Sequence, residues 1–219
     1  MSLLEKAQPR ILIVDDEPAN LKVLRQVLQD SYRLSFARSG EAALELLDKE
    51  DIDLILLDIM MPDMTGFEVC EKVKGNSDTA RIPIIFVTAL KDTIDEETGF
   101  KLGAVDYITK PIVPAIVRAR VKTHLSLVQA DALKETQIDL IQRLGRAAEY
   151  KDNETGMHVQ RMSRYSYVLA VAAGIDEQTA NELLLAAQMH DLGKIAIPDN
   201  ILLKPGRLDE GEFKQMKAH

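Results

Sequence analysis

The chain has 219 residues, 46% apolar and 28% charged, with 35 acidic against 27 basic groups and a formal net charge of −8. That length allows one large domain or two modest ones. The acidic excess (21 against 16 over residues 1–125, 14 against 11 over 126–219) excludes a basic nucleic-acid platform in either part. Cys70 is the single cysteine, so no intrachain disulfide forms and the cytoplasm is the expected compartment; no signal peptide and no apolar run of membrane-spanning length is visible in these residues.

In chain order, short apolar runs come first: Ile11–Val14, Tyr32–Phe36, Asp53–Leu57, Ile82–Val87 and Val105–Ile108. Runs apolar on both faces suit buried parallel strands. Helical patterns separate them. Ala19–Leu28 places Leu21, Leu24 and Leu28 on one face, and Ser39 is an N-cap for Gly40–Asp48. The alternation predicts an α/β domain over residues 8–125, doubly wound around a five-stranded parallel sheet. Residues 112–150 read as one long helix, of which 126–148 form the connection to a second, helical part. Its stripe of Ile138, Ile141, Leu144 and Ala148, with Val117, Val121 and Val128 earlier on the helix, suits a partner helix, and a homodimer is expected, although no strict heptad is sustained. From 149 to 219 only helices are expected: Thr155–Ala173 stopped by Gly174, Glu177–Leu192 capped by Asp176 and stopped by Gly193, and a last one capped by Asp209.

Right-handed crossovers bring the carboxyl ends of parallel strands to one edge of the sheet, where such folds carry their sites. Asp15, Asp16 and Asp58 follow strands directly, as do Thr88 and Lys110. Any one of these alone is more often a strand-end cap, but five at successive strand ends make a site. Three clustered carboxylates repel and call for a cation, and an all-oxygen set that keeps several waters suits Mg²⁺. A carboxylate beside a metal, a hydroxyl and an ammonium is equipped for phosphoryl transfer, with Asp58 as nucleophile and Thr88 and Lys110 facing the phosphoryl oxygens.

The stretches ILIVDDEP, LILLDIMMPDMTG, IIFVTA and DYITKP resemble the bacterial response-regulator receiver family over residues 8–125. The resemblance implies a flavodoxin-like receiver fold in which Asp58 is the phosphoacceptor and Asp15, Asp16 and Asp58 hold Mg²⁺ with the Met60 backbone carbonyl. It further implies that Thr88 and Tyr107 are the switch pair, that Lys110 is the phosphate-facing lysine before a cis Lys110-Pro111 bond, and that a sensor histidine kinase is the phosphodonor.

The helical part carries three of the four histidines. Glu154 and His158 lie four apart at a helix start, His190-Asp191 is followed by Leu-Gly-Lys194, and His219 is the last residue. Imidazoles with carboxylates bind Zn²⁺, Mn²⁺ or Fe. His158 also falls in line with Met162, Tyr165, Leu169 and Ala173, where a lone histidine is more often a core residue with one hydrogen bond. His124, in the long helix, reads as plain surface or interface.

Residues 146–219 resemble the first half of an HD-GYP phosphohydrolase domain through ETGMHVQRMS, AAQMHDLGKIAIPDNILLKPGRL and MKAH. The resemblance implies that Glu154, His158, His190, Asp191 and His219 are metal ligands for Fe or Mn, that Lys194 lies near substrate phosphates, and that the intact form hydrolyses cyclic di-GMP. The adjacent His pair, the further Asp and the GYP motif of that family do not occur in these residues, so an incomplete all-α HD-type domain and no turnover by the 219 residues alone are expected. The competing readings are a receiver with a catalytically inert helical dimerisation or binding module, and another HD-type nucleotide hydrolase. No membrane or nucleic-acid partner is expected.

Overall fold

A strand with hydrocarbon at every position must be covered on both faces, and the chain meets that demand with helices on either side of one sheet. A computed structural model of the chain describes residues 8–89, 93–151 and 157–218. Strands β1 (Arg10–Val14), β2 (Arg33–Ala37), β3 (Leu54–Leu57), β4 (Ile84–Thr88) and β5 (Asp106–Thr109) form a parallel sheet in the order β2-β1-β3-β4-β5. Between them run α1 (Pro18–Leu28), α2 (Gly40–Leu47), α3 (Gly66–Gly75) and α4 (Thr93–Lys101), and α5 (Pro114–Lys151) follows β5.

The pleat sorts the strand residues between two cores. Leu12, Val14, Ile55, Leu57, Ile84 and Phe86 pack with Ala43 of α2 and with Val69, Cys70 and Val73 of α3. Ile11, Ile13, Leu54, Leu56, Ile85 and Val87 pack on the other face with Leu24 and Leu28 of α1 and with Val117, Val121 and Leu125 of α5. At roughly 1.5–3 kcal/mol per buried large apolar side chain, these two layers are the main stabilising term of the sheet domain. Local signals agree with them. Ser39 caps α2 by accepting from the Ala42 N–H, and Thr65 with Glu68 forms a capping box on α3.

The chain divides into two compact units between Ala130 and Asp131. The second contains the end of α5, then α6 (His158–Ala172), α7 (Glu177–Ala186), α8 (Asp199–Leu202) and α9 (Glu210–Met216), with 3-10 turns at Ala187–Met189 and Leu192–Ala196. Asp176 and Asp209 cap α7 and α9 as expected.

Four expectations are corrected. Val117 and Val121, expected on a partner-helix face, are fully buried against the sheet, because α5 covers one face of its apolar strands. The long helix begins at Pro114 rather than at 112, because proline's fixed φ suits a first turn. The helix read as Glu177–Leu192 leaves α geometry at Ala186: the His190 ring takes the Ala187 carbonyl at 2.9 Å, and the chain tightens into 3-10 turns. The stripe containing His158, Tyr165 and Leu169 is not the buried face of α6. Tyr165 and Leu169 are 65% and 68% exposed, while Val159, Ser163 and Ala170 face inward.

Candidate functional site

Two apolar strands end side by side in carboxylates. Asp15 follows β1 and Asp58 follows β3, neighbours in the sheet at the point where the strand order reverses. Both are buried, at 1% and 4% exposure, and Asp16 is half-buried beside them. Among the described residues this is the one place where three His, Cys, Asp or Glu ligand atoms lie within 4.8 Å of one another.

Lys110, after β5, places its Nζ 2.9 Å from Asp15 Oδ2 and 2.6 Å from Asp58 Oδ2. The Asp15 Oδ1 atom accepts from the Glu17 N–H and from Asn20 Nδ2, both at 2.9 Å, and Asp58 Oδ1 accepts from the Met60 N–H at 3.3 Å. Burial pushes the Asp58 carboxyl above its ordinary pKa; the Lys110 hydrogen bond and charge offset only part of this, and the Asp15 charge adds to it. Burial alone would lower the Lys110 pKa, but its bonds to Asp58 and Asp15 outweigh that and hold it raised. Three carboxylates against one ammonium leave negative charge in a buried space, and all the side-chain donors are oxygen. The residues therefore fit a hard divalent cation such as Mg²⁺.

Thr88 ends β4, is buried, and its carbonyl accepts from the Lys110 N–H at 2.8 Å. Tyr107 on β5 lies inside, 7% exposed, its ring 5.3 Å from Phe86 and 5.2 Å from Phe100. Gly99 of α4 leaves the space that the Tyr107 hydroxyl occupies. The Lys110-Pro111 bond is cis. Met60 is exposed, so only its backbone belongs with the cluster. Sequence reading missed Asn20, and took His124 for plain surface or interface. His124 is half-buried, with its Nε2 3.0 Å from Asp106 Oδ2.

The second candidate lies in the helical unit. The His158 and His190 rings have centroids 6.4 Å apart. His190 Nδ1 donates to the Ala187 carbonyl, since a carbonyl only accepts, and this turns Nε2 toward Asp191 Oδ2 at 3.1 Å. A lone pair facing a carboxylate oxygen requires a proton or a cation between them. Two ligand atoms about 2.0–2.2 Å from one ion sit roughly 3 Å apart, so the pair fits a bound metal. Asp191 Oδ2 also lies 2.9 Å from Lys194 Nζ. His158 does not complete a three-ligand cluster with this pair. Glu154 and His219 lie outside the described residues.

A doubly wound parallel sheet thus carries a buried acidic cluster, a lysine and a hydroxyl at its strand ends. Residues 11–122 match the family described as the response regulator receiver domain, and residues 155–219 match the HD domain. The chain belongs to the response regulator receiver family. A chemotaxis protein CheY4 of Vibrio cholerae superimposes with a TM-score of 0.52 at 30% identity, over 53% of this chain and 98% of that one. A CheY-like receiver domain protein of Methanospirillum hungatei gives 0.54 at 30% identity, over 57% and 99%.

Relatives also extend across both units. A probable cyclic di-GMP phosphodiesterase of Vibrio cholerae is 42% identical over 100% of this chain. The cyclic di-GMP phosphodiesterase response regulator RpfG of Xanthomonas campestris is 35% identical over 95%, and a cyclic di-GMP phosphodiesterase of Thermotoga maritima is 32% identical over 95%. This chain spans 56%, 61% and 63% of their respective lengths. No helix among the described residues is long and apolar enough to cross a membrane.

Proposed function

We propose that the chain is the phosphorylation-controlled part of a response regulator that hydrolyses cyclic di-GMP through a metal-dependent HD-GYP domain. The observation that carries the receiver half is the Lys110 ammonium bridging buried Asp15 and Asp58, with Asp16 completing an oxygen cluster. A carboxylate oxygen of Asp58 attacks the phosphorus of a phosphohistidine on a sensor kinase; the P–N bond breaks and the imidazole leaves with a proton. Asp16, Asp58 and the Met60 carbonyl would hold Mg²⁺, with Asp15 in contact through water. The ion supplies charge neutralisation at the phosphoryl oxygens. Thr88 and Lys110 then grip the phosphoryl group, and Tyr107, its ring against Phe86 and Phe100, is the switch aromatic. The cytoplasm is the compartment in which such a kinase domain works.

In the helical part the reading rests on the facing His158 and His190 rings, the Asp191 contact and the names of relatives that match 95–100% of this chain. His158, His190 and Asp191, with Glu154 and His219, would hold Fe or Mn, and Lys194 would meet a substrate phosphate. A second reading, an inert helical module that binds a second copy, is favoured by the exposed Leu133, Leu140 and Leu144 along α5. Sedimentation at high micromolar concentration tests for that dimer.

The direct test of the receiver reading is incubation with Mg²⁺ and acetyl phosphate. One acid-labile phosphoryl group per chain is expected, and none in Asp58→Asn. Undiminished labelling of that variant would place the acceptor elsewhere.

A further inference from the structure

The end of α5 touches every segment that carries a candidate metal or phosphate residue in the described part of the helical unit. Helix α6 begins at His158 but has no cap of its own: Met157, before it, makes no side-chain cap bond. The cap comes from α5 instead, where Glu149 Oε1 accepts the Val159 N–H at 2.5 Å. Glu149 is 4% exposed, and its Oε2 is buried with no hydrogen-bond partner among the described residues. A buried carboxylate with one idle oxygen is costly, and a hydroxyl or amide elsewhere would cap as well.

Two residues on, Lys151 Nζ donates to the Ile195 carbonyl at 2.6 Å and to the Ile197 carbonyl at 2.7 Å. Ile195 lies within the 3-10 turn that holds Lys194, and Ile197 directly follows it. One turn before Glu149, Gly145 lets α5 approach the Gln188 backbone: a methyl there would lie 2.5 Å from the Gln188 carbonyl oxygen, two residues before His190. Gly145, Glu149 and Lys151 therefore seat, in order, the backbone before His190, the first turn after His158 and the turn around Lys194.

We propose that Glu149 and Lys151 are positioning residues that set the relative placement of His158, His190–Asp191 and Lys194 for metal and phosphate binding. The proposal rests on the metal-site reading above. All three seats belong to one element, the last turns of α5.

The test uses the full chain in excess Mg²⁺, which fills the oxygen cluster, with Co²⁺ as the probe of the histidine site. Visible Co²⁺ absorption reports imidazole ligation, and circular dichroism melting reports folding. The wild type is expected to show an absorption that is lost in His190→Ala. Glu149→Ala is expected to bind Co²⁺ about 10–100-fold more weakly, in line with the loss of a residue that orients a ligand. Glu149→Gln, which keeps the accepting oxygen, is expected to recover most of that affinity. Lys151→Met, a milder change at the end of the helix, is expected to weaken Co²⁺ binding and alter its spectrum even if Glu149→Ala does not fold. Wild-type affinity and spectrum in folded Glu149→Ala or Lys151→Met, with only the melting temperature lowered, would overturn the proposal and leave the metal site standing. Absence of His190-dependent Co²⁺ absorption in the wild type would overturn both.

Discussion

Between Asp15 and Asp58 stands one ammonium, and its position has two opposite effects. Lys110 stabilises both carboxylates, at 2.9 and 2.6 Å, and so competes with any cation that would share them. On the proposed reading it is also the donor that meets the charge developing on an incoming phosphoryl group. Removing one such preorganised donor slows a reaction by about 10²–10³-fold. Lys110→Ala is therefore expected to slow acetyl phosphate labelling of Asp58 about 100-fold while Mg²⁺ affinity, read by fluorescence or calorimetry, holds or rises. A parallel loss of both would mean that the lysine organises the metal site instead of the phosphoryl group. Asp106 shows a different balance. Burial raises its pKa, but hydrogen bonds from Arg120, His124 and the Tyr107 N–H outweigh burial and leave it lowered. A carboxyl depressed on folding contributes stability that is complete above its unfolded pKa and is lost as pH falls through the folded value. Melting temperatures from pH 6 down to about pH 2 should then fall less steeply in Asp106→Asn than in the wild type, with the difference confined below about pH 4. Parallel curves would show that the pair does not contribute. At this scale the strand-end residues were legible because periodicity fixes where strands stop. Asn20 on Asp15 and His124 on Asp106 were not, since each is a contact set by how a helix packs, 5 and 18 residues away in sequence.

Among the elements, the loop from β3 to α3 carries the most constraint. Gly66 opens α3 directly behind Asp58, and a methyl there would lie 2.8 Å from the Ile59 Cα and closer still to the Asp58 carbonyl. The Gly66 N–H also donates to the Ile59 carbonyl at 2.9 Å. Both neighbours are backbone, so they yield only by moving the chain at Asp58 and Ile59. Gly66→Ala is expected to cost about 1–3 kcal/mol in urea unfolding, as overpacking does, and to slow phosphorylation of Asp58 beyond what the lost stability explains. Normal labelling kinetics in a destabilised variant would show that the loop relaxes without displacing Asp58. The same contrast explains which elements the sequence made legible. Strands β1, β3 and β4 are solid apolar runs with no competing reading, and Ser39, Asp176 and Asp209 mark helix starts by their own chemistry. The 3-10 path through Ala187–Ala196 was hidden because LLLAAQMH has ordinary helix propensity. What overrides it is partly tertiary, the Gln188 carbonyl against Gly145, and partly local, the His190 Nδ1 donating to the Ala187 carbonyl three residues back.

For the whole molecule the question is how many metal ions these 219 residues hold and what they do with them. The oxygen cluster and the histidine site are chemically distinct, so Mg²⁺ and a transition metal should partition between them. Phosphoester hydrolysis by two metals needs a ligand set that fixes both ions and orients the attacking water. In the described part of the helical unit, His158, His190 and Asp191 are the only side chains assigned to metal, and the sequence contains no adjacent histidine pair and no Gly-Tyr-Pro. His190 and Asp191 converge on one position, and His158 does not close a three-ligand cluster with them among the described residues, so at most one ion and no turnover are expected. Measured by metal analysis after dialysis against Mn²⁺ with Mg²⁺ in excess, the chain should retain about one Mn²⁺ that His190→Ala does not retain. Incubated with cyclic di-GMP and Mn²⁺ or Fe²⁺, it should form no pGpG above the His190→Ala background. Turnover that disappears in that variant would show that these donors already assemble a working centre, and the requirement for the further histidines would fall.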